Sequence, residues 1–295
     1  MPMHIGHVAL QVTNLDRTID HARRTLGLVV TEKTSEAAYL TANEKRHELQ
    51  LIAADRAGMD HVGLEVEHEH ELDELRDRLI AAGATILSEQ PEEPGLAAAI
   101  RCLGPGGVMF ELYTGMVREP LSLDNVLRPI AQKISHVTLG TEDKAELETF
   151  LLDILGFRVS DRAGEFVTWM RCDADHHGVA VAGIESGSRM HHYAFELESW
   201  SAIGAYADRI ARDGQQFLWG PGRHGPGFNI FTYLTDPDGA VVEACADLLR
   251  IDNDAAYRPI NWDHNPHAMN LWGPDMPDGW VDVGVPVLTP SARSV

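Results

Sequence analysis

The chain has 295 residues and a formal charge of −21, from 24 basic and 45 acidic side chains, with 44% hydrophobic and 23% charged residues. That length allows two ordinary domains with cores of their own, and that charge repels nucleic-acid phosphates and anionic lipid. No apolar run reaches membrane-spanning length, the opening Met1-Pro2-Met3-His4 lacks the basic and apolar regions of a signal peptide, and Cys102, Cys172 and Cys245 show no CxxC spacing. A cytoplasmic protein without membrane or nucleic-acid partners is expected.

In chain order, an apolar strand over residues 7–12 is followed by a helix begun at Thr13-Asn14 and stopped at Gly27. Extended stretches follow at 28–33, 37–41 and 47–53. His61 restarts the cycle with a strand to 67, a helix over 69–82 ended by Gly83, and strands at 85–88, 98–103 and 108–113. Residues 116–133, with Pro120 and Pro129, read as a linker. The second half repeats the pattern. It has a strand at 136–140, a helix capped near Thr141 and ending near Gly156, and strands at 158–160, 167–171 and 178–183. A strand at 192–197, a helix over 202–212 stopped at Gly214, and strands at 217–219, 228–235 and 240–246 complete it. Gly104-Pro-Gly-Gly and Gly220-Pro-Gly read as turns rather than phosphate loops. Residues 250–295 carry three of the six tryptophans and read as an irregular tail packed over the second domain.

One triad occurs in both halves. His136, His192 and Glu243 are 56 (136 to 192) and 51 (192 to 243) positions apart; His7, His61 and Glu111 are 54 (7 to 61) and 50 (61 to 111) apart. Each histidine is read as opening a strand, and each glutamate as closing one. Alternation puts His192 and Ala194 on one face of their strand, opposite Tyr193 and Phe195, and pairs His136 with Thr138. Two imidazoles and one carboxylate form a facial ligand set that leaves open positions on a divalent ion. The neighbours His176 and His191 alternate to the opposite face and read as structural. Cys245 reads as a small packed residue, and His264 and His267 as surface residues.

The four βαβββ modules, His176-His177-Gly-Val-Ala-Val, His191-His192-Tyr-Ala-Phe, and Gly222-Arg223-His224 through Tyr233 to Glu243 together resemble the type I extradiol (catechol 2,3-) dioxygenases of the vicinal oxygen chelate superfamily. The resemblance spans roughly residues 4–247. The last stretch is the most specific, with histidine, tyrosine and glutamate at offsets of 9 (224 to 233) and 19 (224 to 243). It implies an α+β fold of two tandem domains, each of two modules, with mixed sheets curled into open barrels. The domains would be 1–115, non-catalytic, and 134–249, catalytic. It further implies Fe(II), or Mn(II) on the same ligands, held by His136, His192 and Glu243. His177 would stand on the oxygen side of the ion, and His224 and Tyr233 would hydrogen-bond the diol. The activity implied is ring cleavage of a catechol by O2 to a hydroxymuconic semialdehyde, in a homo-oligomer.

In the first half the positions matching His224 and Tyr233 are about Glu93 and Arg101, so the diol-binding pair is missing, although His47 echoes His177. Members that take carboxylated catechols have an arginine where this chain has Trp219. Trp219 and Trp169 are therefore candidate substrate contacts for an alkyl or halo catechol, while Arg223, Arg250 and Arg258 keep an anionic substrate open. Two other classes share the modules: glyoxalase-like metal-dependent lyases or isomerases, and non-catalytic aromatic-binding proteins. His177, His224 and Tyr233 together argue against both.

Overall fold

The computed structural model describes residues 3–121, 130–263, 265 and 267–288. Two mixed sheets carry the chain. The first is built from β1 (Met3–Val12), β2 (Val29–Lys33), β3 (Ala37–Thr41), β4 (Leu49–Ala53), β5 (Gly58–Val66), β6 (Thr85–Ser88), β7 (Ala98–Leu103) and β8 (Met109–Thr114), with α1 (Leu15–Thr25) and α2 (Glu69–Ala81) against it. The second contains β9 (Ala131–Thr141), β10 (Arg158–Ala163), β11 (Val167–Arg171), β12 (Val179–Gly183), β13 (Ser188–Leu197), β14 (Trp219–Arg223), β15 (Ile230–Thr235) and β16 (Val241–Ala246), with α3 (Lys144–Thr149) and α4 (Trp200–Arg212). The tail adds β17 (Ile260–Asn261), paired with β10, and β18 (Val285–Pro286), paired with β13. The predicted irregular tail is thus partly woven into the sheet.

The orders β2-β3-β4-β1-β5-β8-β7-β6 and β14-β15-β16-β13-β9-β12-β11-β10 follow one plan. In each half two central strands run antiparallel and each pairs outward with a parallel neighbour: β4-β1-β5-β8 and β12-β9-β13-β16. Neither sheet closes, which makes the two α+β modules of each half an open trough. Local signals account for the helices. Asn14 Oδ1 accepts from the Arg17 amide at 3.0 Å and Ser199 Oγ from that of Ala202 at 3.4 Å, as N-caps do. Gly27, Gly83, Gly156 and Gly214 stop the chain after each helix, all four with positive φ, in the left-handed region that favours glycine.

Several expectations are corrected. The central strands begin before the histidines: β1 starts four residues before His7 and β9 five before His136, because the flanking residues complete a ladder that sequence patterning shows only where it is apolar. The linker therefore ends before β9 rather than at residue 133. Gly220-Pro221-Gly222 is not a turn but lies inside edge strand β14, whose pairing with β15 is irregular between Trp219 and Gly222. Residues 226–228 form a helical turn ahead of β15, which therefore begins at Ile230 rather than at residue 228. The third helix follows Asp143, whose amide donates to Thr141 Oγ1 at 3.1 Å, and widens over Phe150–Ile154. No helix among the described residues is long and apolar enough to cross a membrane.

One apolar core runs through both halves. Phe110 of β8 stacks on Phe150 with ring centroids 5.8 Å apart, Ile134 N donates to Glu48 Oε1 at 3.0 Å, and Thr18 Oγ1 donates to Asp238 Oδ2 at 3.0 Å. The tail also reaches the first half, where Leu288 N donates to Met59 O at 2.9 Å. Phe110→Ala should cost about 3–5 kcal/mol through the cavity it leaves. All six tryptophans lie in the second half. A loss in denaturant midpoint read by their fluorescence therefore tests whether a first-half cavity destabilises both halves together; an unchanged midpoint would refute the shared core.

Candidate metal centre and active site

Strand register brings the distant residues together. Opposite His136 on β9 lies Ala194 of β13, opposite Ala194 lies Glu243 of β16, opposite Glu243 lies Tyr233 of β15, and opposite Tyr233 lies Trp219 of β14. One row across five strands thus holds His136, Ala194, Glu243, Tyr233 and Trp219. The adjacent row runs from His192 to Thr138, Ala180 and Trp169. The side chain of Ala194 is short enough to let His136 and Glu243 meet above it.

Glu243 Oε2 lies 3.2 Å from His136 Nε2 and 3.1 Å from His192 Nε2, all three side chains being buried. Asn229 Nδ2 donates to the other carboxylate oxygen at 2.9 Å, which turns Oε2 toward the histidines. Burial first, then the bonds to the two histidines, set the carboxyl group's acidity: desolvation opposes ionisation, yet the imidazoles hold it well below the usual carboxylate range. His192 is pushed down to about 3, chiefly by burial.

The hydrogen-bond network assigns the His192 tautomer. His191 Nε2 lies 2.8 Å from the Trp280 carbonyl, which can only accept, so the proton is on that nitrogen. Burial lowers the pKa of His191, so its Nδ1 is bare and must accept from His192 Nδ1, 2.7 Å away. His192 Nε2 is then a lone pair facing the Glu243 carboxylate oxygen at 3.1 Å. Two buried lone pairs at that distance suit a shared cation, and the residues present fit a divalent metal ion. His191 is therefore not on the opposite face. The β9–β13 register shifts between Met190 and His192, and this β-bulge directs both histidines to the same side. His176 likewise contacts its neighbour, Nδ1 to His177 Nδ1 at 3.0 Å, from a loop where strand alternation has no force.

Around these donors lies a cavity of about 730 Å³, counting its open mouth, lined by His177, His224 and Tyr233 and walled by Phe166, Trp169, Met269 and Trp280. The His177 ring lies tilted against that of His136, with ring centroids 4.3 Å apart, and burial followed by repulsion from His136 lowers its pKa. His224 Nδ1 donates to the Met269 carbonyl at 2.6 Å, leaving Nε2 to accept from Tyr233 O–H at 3.0 Å. Burial, then Glu243, push the Tyr233 phenol well above its ordinary value.

Trp169 lines the cavity, whereas Trp219 is a layer behind, stacked on Tyr233 with ring centroids 6.0 Å apart. Of the arginines noted from sequence, Arg223, Arg250 and Arg258 are absent from the lining; Arg189 reaches it instead. Sequence reading also missed Asn229, His191's tautomer role and the tail residue Trp280, none of which carries a local motif. Cys245 is buried, with its thiol directed to the Phe195 carbonyl at 3.6 Å. His267 is exposed, and His264 lies outside the described residues.

In the first half His7, Gly63, Glu111 and Arg101 form the matching row. His61, His47 and Glu93 close over it, all of them buried. His191→Phe should preserve the fold and cost about 10–100-fold in affinity for Mn(II) or Fe(II), as loss of such an orienting partner does. Unchanged affinity by metal titration would refute the relay.

A family model described as the Glyoxalase/Bleomycin resistance protein/Dioxygenase superfamily matches residues 4–112 and 133–244. The chain is 29% identical to a manganese-dependent 2,3-dihydroxybiphenyl 1,2-dioxygenase from Geobacillus genomosp. 3, over 93% of this chain and 95% of that protein. It is 28% identical to metapyrocatechase 2 from Cupriavidus necator, covering 94% and 91%. Among solved structures, the Mn(II)-bound glyoxalase from Novosphingobium aromaticivorans is 28% identical and superposes with a TM-score of 0.85, covering 98% of both chains. Two copies of one fold, with donors converging at matching rows, agree with these matches: the chain belongs to the Glyoxalase/Bleomycin resistance protein/Dioxygenase superfamily.

Proposed function

We propose that the second half is an extradiol dioxygenase site, in which His136, His192 and Glu243 hold the metal ion and a catechol is cleaved beside its diol. The observation that carries this reading is the convergence of three buried donor atoms beneath an apolar cavity that also holds His177, His224 and Tyr233. Bound there, Fe(II) or Mn(II) supplies Lewis-acid activation of the diol and a route for reaction with O2. Both oxygen atoms enter the ring-opened semialdehyde, so no external reductant is consumed.

The chain's own residues bind, orient and move protons. Phe166, Trp169 and Trp280 enclose an aromatic ring and exclude water. Tyr233 keeps its proton at neutral pH and His224, locked by the Met269 carbonyl, presents a fixed acceptor. The pair can therefore orient one diol oxygen. Neutral His177, beside His136, can take up a proton and return it at the same place. Among the described residues Arg189 is the one arginine on the cavity lining, and it donates to the Asp282 carbonyl. Alkyl or halo catechols therefore suit the pocket better than carboxylated ones. The first half, with Glu93 and Arg101 in place of His224 and Tyr233, is non-catalytic.

Anaerobic loading with Fe(II) or Mn(II), addition of a catechol panel and admission of air should give oxygen uptake and a yellow product, fastest with alkyl or halo substituents. His192→Ala should abolish both metal retention at this site and turnover. A glyoxalase-type lyase is the second reading, favoured by the Novosphingobium likeness; it requires metal-dependent turnover of a thiol adduct with no oxygen consumed, which would sink the first. His177→Asn should retain the metal while slowing turnover by about 10²–10⁴-fold, and loss of metal in that variant would reassign it as a ligand.

A further inference from the structure

The first half carries a second cluster of donors, remote from the cavity just described. His7 Nε2 lies 3.0 Å from His61 Nε2, 3.4 Å from Glu93 Oε2 and 3.5 Å from Glu111 Oε2. His61 Nε2 lies 2.7 Å from Glu93 Oε1 and 3.9 Å from Glu111 Oε2. All four side chains are at most 1% exposed. Donor atoms about 2.1 Å from a common ion in a tetrahedral arrangement stand about 3.4 Å apart, and these separations scatter around that value.

Three of the four donors, His61, Glu111 and Glu93, are also aimed from behind. Asp60 Oδ1 accepts from His61 Nδ1 at 2.8 Å, which turns Nε2 inward toward the other donors; carboxylate–histidine pairs of this kind orient metal ligands. Arg101 Nε donates to Glu111 Oε1 at 2.8 Å. Glu111 Oε2, buried and pointing at both imidazoles, has no hydrogen-bond partner among the described residues. His47 Nε2 and Arg101 Nη2 bond Glu93 at 2.7 and 3.0 Å. Gly63, opposite His7, is required by close approach, since a Cβ there would stand 2.1 Å from the imidazole.

We propose that His7, His61, Glu93 and Glu111 form a second, closed binding site for one divalent transition-metal ion. Glu93 completes a fourth ligand where the second half has His224, and Arg101 occupies the position of Tyr233, ten residues before the glutamate and paired with it across the strands. Four protein ligands and a guanidinium leave no room for a diol, so the ion here ties β1, β5, β8 and the 89–97 loop together and takes no substrate. The carboxylates of Asp60, Glu93 and Glu111 exceed the guanidinium of Arg101 by two negative charges, which a dication offsets.

The test counts ions. The full-length protein is stripped with a chelator and titrated anaerobically with Co(II) alone; bound metal per chain is measured by mass spectrometry and visible absorption. Wild type should bind two ions, His192→Ala one, and His192→Ala with Glu93→Ala none. The ion kept by His192→Ala should show the intense absorption of four-coordinate cobalt and raise that variant's Tm, because binding only the folded state stabilises it. The Tm and spectrum of His192→Ala decide the matter even where the double variant fails to fold. One ion in wild type and none in a folded His192→Ala would overturn the proposal, leaving a proton-held network of His61 and the carboxylates. Weak absorption, marking an open coordination sphere, would overturn it as a closed site.

Discussion

The pairing register of β9, β13, β16 and β15 is the constraint on which the site depends. His136, Ala194, Glu243 and Tyr233 fall in one row only because the three ladders that join these strands are aligned as they are. A slip of one residue in any of them would turn its donor into the core, since strand side chains alternate with period two. Apolar residues on the far face, among them Val137, Tyr193, Phe195 and Val242, are buried against the helices and oppose such a slip. The same burial that stabilises the sheet therefore aims the donors. The bulge at His191, one of three irregularities in the β9–β13 pairing, puts two imidazoles where alternation allows one.

The tail completes the site. Carbonyls of Trp280 and Met269 accept from His191 and His224 and fix which ring nitrogens carry protons. A third tail contact works at longer range: Trp262 Nε1 donates to Asp161 Oδ2 at 2.8 Å, and that carboxylate oxygen faces His176 Nε2 at 3.2 Å. Two neighbouring histidine pairs are thus tied to the segment that walls the cavity. Carbonyl groups suit this task because they cannot donate, so the tautomer has a single solution.

Comparison of the two halves isolates what makes such a trough reactive. Both present histidine, small residue and glutamate along a row, as His136, Ala194 and Glu243 or as His7, Gly63 and Glu111. They differ in what stands above it. Neutral His224 and Tyr233 border an apolar cavity, while Arg101 bonds both Glu93 and Glu111 and these charged groups fill the equivalent space. One lattice of donors is therefore compatible with an open centre or a closed one, depending on two side chains.

Much of this was legible in the chain itself. Helix stops at Gly27, Gly83, Gly156 and Gly214 and the order of the modules follow from local chemistry: glycine tolerates positive φ, and apolar periodicity marks each element. Repeated intervals singled out His136, His192 and Glu243, because a duplicated module preserves spacing along the chain. Tertiary structure alone decided the rest. The bulge that redirects His191 is a property of a strand pair, not of one strand. The carbonyl partners at Met269 and Trp280, and the screening of Trp219 behind Tyr233, join residues far apart along the chain. The convergence of Glu93 on His7 and His61 has the same origin: a loop residue's reach is set by the packing around it, for which no local pattern codes.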